Sequence, residues 1–510
     1  MSSLRRSSAA VLGLLWAGFA EAQTPLSAID WLDEIGAVIT LPAPIGPPVA
    51  DSADQPGVTV TALDAPHADA VGLLPGSVSG LPASLWENST TAALIRYLDG
   101  LPERPLPAMQ ALYYTLLLTE ADAPPDTGPE ALFLASRLAA LRRLGAIEPA
   151  LALVERAGGA TPALFDAWLD LALLEGGEDG ACAALAAAPH LSRNPDARIY
   201  CLARAGDWNT AALILHGAEV TGALGDPDVT LLALYLEPEL IDEIAPPDTP
   251  AAMTPLRFRL FEAIGAPLGT RNLPRAFAMA DLRGTAGWKA EIEAAERLAE
   301  TGAIAGTRLF GLYTARRPAA SGGVWERVAA VQALDTALTN SDADALARAL
   351  PPAWEAARAV RLEIVLADLV AERLLAAPLP AAIRPLAFEI VALSALYERT
   401  AEILPPSTPR QRLLTGIAAG QPEISHAETP LELAITEAFA STAAAPEHRP
   451  LIETGRLGEA ILAATAQLDG APARAAPSAT RASLSTLRAL GLEDTARRAA
   501  LQLLLLGPAR

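Results

Sequence analysis

The chain has 510 residues, 51% of them hydrophobic and 5% aromatic, with 59 acidic against 38 basic side chains and a formal charge of −21. Such an acidic surface is a poor partner for nucleic acid or anionic lipid. None of its apolar runs, Ala9–Phe19, Leu112–Leu118 or Leu501–Leu506, reaches the roughly 20 apolar residues that a membrane-spanning helix needs.

The first segment reads as an export leader. Arg5 and Arg6 precede the apolar run Ala9–Phe19, and Ala20-Glu21-Ala22 supplies a small-x-small cleavage signal, which places the cut after Ala22. The paired arginines suggest the twin-arginine route, but Ser7-Ser8-Ala9 lacks its continuation, so general secretion is the expected route. No cysteine stands near Ala22 to take a lipid. An exported mature chain in the bacterial periplasm follows. Lys289 is the only lysine, a bias that fits a GC-rich bacterial genome and calls for no special chemistry.

Residues 23–88 form the second segment. In Ser27–Ile35, the side chains of Ile29, Trp31, Leu32 and Ile35 can share one face of a short amphipathic helix, and Trp31, Leu32 and Ile35 are the candidate partner-binding residues. Simple packing of Trp31 on its own protein is the alternative. From Leu41 to Pro82 proline and glycine resist helix, leaving an extended tether that packs poorly. Within it, Val58-Thr59-Val60-Thr61 alternates as a short strand does. Leu73-Leu74-Pro75-Gly76 and Gly80-Leu81-Pro82 read as turns.

From Ser89 the pattern is helical, in two regions, 89–315 and 324–510, separated by the flexible stretch Arg316–Gly323. Three times a glycine is followed by an alanine five residues on and a proline seventeen on: Gly145, Ala150, Pro162; Gly455, Ala460, Pro472; Gly491, Ala496, Pro508. That punctuation describes two antiparallel helices around a tight turn, the second stopped by the proline, which is the unit of a helical solenoid. The expected fold is all-α. Cys182 and Cys201 fall in probable helices Glu178–Ala188 and Pro195–Ala205, ten and nine residues from Ser192 in the turn between them. Equal distances from a turn bring two side chains to one level, so in an oxidising compartment a disulfide is expected, with two buried free thiols as the alternative.

The stretch Ala203-Arg204-Ala205-Gly206-Asp207-Trp208-Asn209-Thr210-Ala211-Ala212 resembles the inter-helix turn of a tetratricopeptide repeat. Leu141, Gly145, Ile147, Ala150, Ala157 and Pro162 match an earlier unit, and Leu487, Gly491, Ala496 and Pro508 match the last. Gly455 and Gly491 stand 36 residues apart, close to the family's period. The tryptophan and tyrosine of the family's first helix are missing. The resemblance implies an irregular helix-hairpin solenoid whose groove binds a protein or peptide. Trp208 reads as a core residue of its hairpin.

Enzyme signatures are weak. A cell-wall glycan-cleaving enzyme of the soluble lytic transglycosylase kind needs a Glu-Ser context, and the chain has no Glu-Ser dipeptide. Glu291, Glu293, Glu296 and Glu300 offer paired carboxylates, but Lys289 and Arg297 lie four residues from Glu293, the spacing of a solvated, ion-paired helix face. Ser77 and Ser79 do not take the central place of a nucleophile elbow. Asn340-Ser341-Asp342-Ala343-Asp344 lacks a calcium loop's glycine and terminal glutamate, so helix capping by Ser341 or Asp342 is expected. His67, His190, His216, His426 and His448 are scattered. Glu237-Pro238-Glu239 with Asp242 and Glu243 makes an acidic patch that reads as a solvated face.

The resulting expectation is a non-enzymatic, protein-binding scaffold or adaptor of the cell envelope, with another envelope protein as partner and no cofactor, metal ligand or catalytic residue. The alternative is an envelope enzyme or glycan-binding accessory in cell-wall turnover. Amino-terminal sequencing of the exported protein is expected to begin at Gln23; a chain that retains Met1 in the periplasmic fraction would overturn the leader assignment.

Overall fold

Proline at the first turn and glycine beyond the last turn punctuate the helices of this chain. The computed structural model describes residues 67–318, 320–469 and 476–506. Among these the regular elements are α-helices linked by short 3-10 turns, with one isolated parallel bridge between Leu74 and Thr119. The all-α expectation holds. Helices Pro409–Ala418 and Pro430–Ala440 show how the starts are built: Thr408 and Thr429 cap them, and Gln411 and Glu432 reach back to complete the capping box. No helix among the described residues is long and apolar enough to cross a membrane.

Successive helices pack as hairpins at the expected glycines. Gly145, Gly206, Gly455 and Gly491 all take the left-handed conformation (φ 85°, 85°, 71° and 82°) that closes a helix end cheaply only without a Cβ. Ala150, Ala460 and Ala496 are fully buried just beyond three of these turns, where a small side chain lets the two helices approach. The role given to the proline needs correction. Helix Ile147–Arg156 is already finished when Gly158 (φ 78°) turns the chain, and Pro162 lies exposed in the loop that follows. The leader Met1–Ala22, the segment with Trp31, Leu32 and Ile35, the alternation Val58–Thr61, and Pro472 and Pro508 lie outside the described residues.

One main core runs from Val71 to Leu503 and passes across residues 316–323, where the rings of Trp288 and Trp325 meet at 5.0 Å. A second, smaller core gathers Phe165 to Ile264. Within it the Cys182–Cys201 disulfide joins helix Asp179–Ala187 to helix Pro195–Arg204, with Cα atoms 4.9 Å apart, as the turn spacing predicted.

Residues 67–88, the end of the proline- and glycine-rich stretch, differ from the tether expected of them. Val71, Leu81, Leu85 and Trp86 are buried in the main core, and the Leu73–Gly76 segment, read as a turn, instead runs alongside the end of helix Pro107–Leu118. Leu73 and Leu74 donate to the Leu118 carbonyl at 2.7 and 2.9 Å, and Glu120 donates to Leu74 at 2.9 Å. Trp86 meets Phe133 edge-on at 5.2 Å and lies against Gly458 so closely that a Cβ there would stand 2.3 Å from its ring.

The guanidinium of Arg137 secures this strap. Only 1% exposed, it donates to the carbonyls of Leu117 (2.8 Å), Val71 (2.8 Å), Thr119 (3.1 Å) and Asp69 (3.3 Å). Burial pulls its pKa down to about 10, with Asp69 opposing, so it stays charged at neutral pH. Asp69 is itself buried and accepts from Leu134 N–H at 2.7 Å and from the Thr127 hydroxyl. Arg137→Met keeps the apolar stem but strips four buried carbonyls of their donor. A loss of about 3 kcal/mol or more is expected in urea unfolding, and a variant within about 0.5 kcal/mol of the parent would show that the strap does not need this residue.

Candidate functional site

Helix Trp208–Thr221 is the strongest candidate for a recognition element. Asp207 accepts from Thr210 N–H at 3.2 Å to start it, and Gly222 (φ 69°) ends it. Ala211, Leu215 and Ala218 turn inward in a helix that packs on its two neighbours, Pro195–Arg204 and Asp226–Leu236. The outward face carries Leu213 and Val220, 72% and 73% exposed, with Ala212 and Gly217 beside them.

Trp208 is not the core residue that the hairpin pattern suggested. It sits in the first turn of the helix, where contact with the facing helix leaves it 47% exposed. Its ring rests against Tyr235 at 6.2 Å, and Tyr235 stacks on Tyr200 at 5.5 Å. The ladder ends on a buried charge. The Tyr200 hydroxyl donates to Glu178 Oε1 at 2.7 Å, and the same oxygen takes Arg259 at 3.0 Å and Arg204 at 3.2 Å. Burial opposes ionisation of Glu178, but the hydrogen bonds from Tyr200 and Arg259 outweigh it and hold the carboxyl below its usual range. Burial and the bond to Glu178 push the Tyr200 phenol above its own range. The exposed tryptophan therefore stands on a rigid support.

The acidic helix Trp288–Ala299 and its cap Glu300 also need correction. Glu293 does pair with Lys289 at 4.0 Å and with Arg271 at 2.5 Å, but Arg297 turns away to the carbonyls of Thr270 and Leu273. Glu296 is 6% exposed and receives Arg327 through two bonds, 2.8 and 2.6 Å, and the Tyr313 hydroxyl at 2.7 Å. Glu300 gathers Arg361 at 3.0 Å, Arg275 at 3.2 Å and Arg104 at 3.4 Å. This is an interior clamp between helices, because the cations come from distant segments as well as from the helix itself. Tyr313 and Arg327 also close one end of an apolar groove, lined by Leu309, Val331, Leu366 and Leu369, whose two halves hold about 20 and 50 Å³. That is room for a few waters at most.

A larger polar cavity of about 240 Å³ lies among Trp354, Arg358, Glu363, Glu389, Arg410 and Leu505. Arg410 is anchored by Glu432 at 3.1 Å and the Leu504 carbonyl at 2.9 Å, while burial raises the pKa of Glu363. Both signs of charge face it, which suits a small polar molecule rather than an apolar one.

Other residues singled out from sequence take structural places. Asp342 caps helix Ala343–Arg358 by accepting from Ala345 N–H at 2.9 Å. Ser77 and Ser79 lie in the single-turn helix Gly76–Ser79. His67 Nδ1 accepts from Asp69 N–H, and His426 Nε2 from Arg412. No group of three or more His, Cys, Asp or Glu side chains among the described residues is placed to hold a metal ion. No protein-family model, curated protein or solved structure matches the chain.

His448 gives the protein a pH signature. It is buried, with Nδ1 2.9 Å from the Thr486 hydroxyl, and burial lowers its pKa, with Glu447 opposing. A lowered folded-state value means that its contribution is complete above the ordinary value near 6.5 and is lost as pH falls through the folded value. Between about pH 7.5 and pH 5.5 the urea midpoint of the parent is expected to drop further than that of His448→Gln. Parallel curves would overturn this account.

Proposed function

We propose that the chain is an exported helical-repeat protein, built from tetratricopeptide-like hairpins, that binds another protein in the bacterial cell envelope. The observation that carries this reading is the outward face of helix Trp208–Thr221. Leu213 and Val220, two helical turns apart, hold large apolar side chains in water there, and grouped apolar exposure is what interaction surfaces present. The glycine turns at Gly145, Gly206, Gly455 and Gly491 support the hairpin kinship. The Cys182–Cys201 disulfide fits an oxidising compartment and supports export. Glu296 and Glu300, held by arginines, serve the fold, which favours recognition over acid-base chemistry for that helix.

The test is photo-crosslinking in the cells that make the protein. A crosslinking amino acid is placed at Leu213, and separately at the exposed Val78 and Leu433, followed by fractionation of periplasm and membrane. A discrete adduct with a second protein in the envelope fraction is the expected result. Absence of any protein adduct from all three positions, with the chain present and intact in that fraction, would overturn the reading.

A further inference from the structure

The cavity of about 240 Å³ is built where five helices meet. Helix Ala343–Arg358 brings Trp354 and Arg358, helix Glu363–Ala376 brings Glu363 at its first residue, helix Arg384–Leu393 brings Glu389 and Leu393, helix Pro409–Ala418 brings Arg410, and helix Glu493–Leu505 reaches it with Leu505. The five pack on one another in series: Ala343–Arg358 on Glu363–Ala376, that helix on Arg384–Leu393, and Glu493–Leu505 on both Arg384–Leu393 and Pro409–Ala418. Packed helices, not loops, therefore hold the walls. One water needs only about 10–15 Å³ of such space, so the cavity takes a small organic molecule.

Its lining has an apolar wall and two kinds of charge. Trp354 and Leu393, 5% and 3% exposed, form the wall, and no described group accepts from the indole N–H of Trp354. Arg410 is fixed from two sides, by Glu432 at 3.1 Å and the Leu504 carbonyl at 2.9 Å, which leaves other N–H groups of its guanidinium to donate. Arg358 meets only Glu355, in an exposed pair at 3.2 Å of the kind that contributes little to the fold. The acids are less well matched. Among the described residues neither Glu363 nor Glu389 takes part in an ion pair. Arg361 and Arg358 lie near enough to act on Glu363, yet burial outweighs them and raises its carboxyl.

A ligand of one sign answers half of this lining. An anion suits Arg358 and Arg410 but is repelled by Glu363 and Glu389, and a cation meets the reverse. A neutral polyol bonds to both without an ionised group of its own. A molecule with an ammonium and a carboxylate answers both at once. From the convergence of two arginines, two unpaired glutamates and a buried tryptophan on one cavity, we infer that it is a binding site for a small zwitterion with an apolar body, a free amino acid or a dipeptide. The carboxylate accepts from Arg358 and Arg410, the ammonium donates to Glu363 and Glu389, and the apolar body lies against Trp354 and Leu393. This site lies apart from helix Trp208–Thr221, and its ligand adds to the protein-binding reading without resting on it.

The test is calorimetric titration of the purified full chain with L-leucine and with leucyl-leucine, whose charges are set further apart, and with two analogues of leucine that each lack one charge, 4-methylpentanoate and 3-methylbutylamine. At least one of the zwitterions is expected to bind, with a dissociation constant of about 1 mM or tighter, and which of the two binds better tells the amino acid from the dipeptide. Each analogue is expected to bind about tenfold or more weakly than leucine or the dipeptide, whichever is preferred. Glu363→Gln with Glu389→Gln should abolish the preference for the zwitterion over 4-methylpentanoate, and Arg358→Gln the preference over 3-methylbutylamine. A damaged fold weakens every ligand alike and does not give this crossed pattern. Melting temperature and circular dichroism should match the parent, and a double variant that fails this check is replaced by Glu389→Gln alone, at an exposed position. No binding of either zwitterion at about 10 mM, equal binding of the analogues, or unchanged preferences in the variants would each overturn the inference. The crosslinking result at Leu213, Val78 and Leu433 is read separately, so failure here leaves the protein-binding reading intact.

Discussion

Helix Pro107–Leu118 is held at both ends by groups from elsewhere in the chain, and the architecture depends on that arrangement. Seven of its twelve residues are buried, and none is charged, so its unpaired backbone groups must find partners inside the protein. At its start, Leu106 N–H reaches Asp469 at 2.7 Å and Ala108 N–H reaches Gln502 at 2.8 Å, across 363 and 394 residues of sequence. At its end, Arg137 takes the carbonyls of Leu117 and Thr119, and the backbone of Leu73 and Leu74 takes that of Leu118. The first helices of the described body are thereby tied to its last. The hairpins follow one another as in a solenoid, yet helix Glu493–Leu505 packs on Pro107–Leu118 and Leu457–Asp469 packs on Thr91–Asp99.

What could be read from sequence was local. The hairpin glycines and the cysteine pair are legible because both partners lie within one turn and its flanking helices, where spacing alone sets geometry. Trp208 was misplaced because a repeat pattern says which position faces the neighbouring helix but not how much of a large ring in the first turn that contact covers. Glu296 was misplaced because the four-residue spacing to a cation belongs to Glu293, which does pair with Lys289, and nothing local says that Arg327, from a later helix, claims the next carboxylate. The strap from His67 to Asn88 was unreadable as packed structure, since proline and glycine exclude helix without saying whether an irregular chain is buried. Trp86 was the available signal, being too large and apolar to be left in a loop without cover.

Charge is handled differently in the two cores. Around the main core, acids are drawn inward and matched, as at Glu296, Glu300 and Glu432, each of which receives at least one arginine. Around the smaller core, Glu178 is matched in the same way at the base, but the stretch 205–256 has acids without a lysine or arginine of its own. Self-repulsion along such a surface weakens the compact state unless something holds it together. The disulfide and the Trp208–Tyr235–Tyr200 ladder do so directly below it.

The tie between the first and last helices also has a consequence in time. During synthesis, Pro107–Leu118 emerges nearly four hundred residues before Gln502, the side chain that completes its start. At about 5–20 residues per second that is a wait of roughly 20–80 s. Local hairpins such as those at Gly145 and Gly206 can close while the rest is still being made, but the main core cannot. Helix Glu493–Leu505, made so much later, is thus the one that licenses Pro107–Leu118 to settle, so the main core stays loosely organised until it arrives.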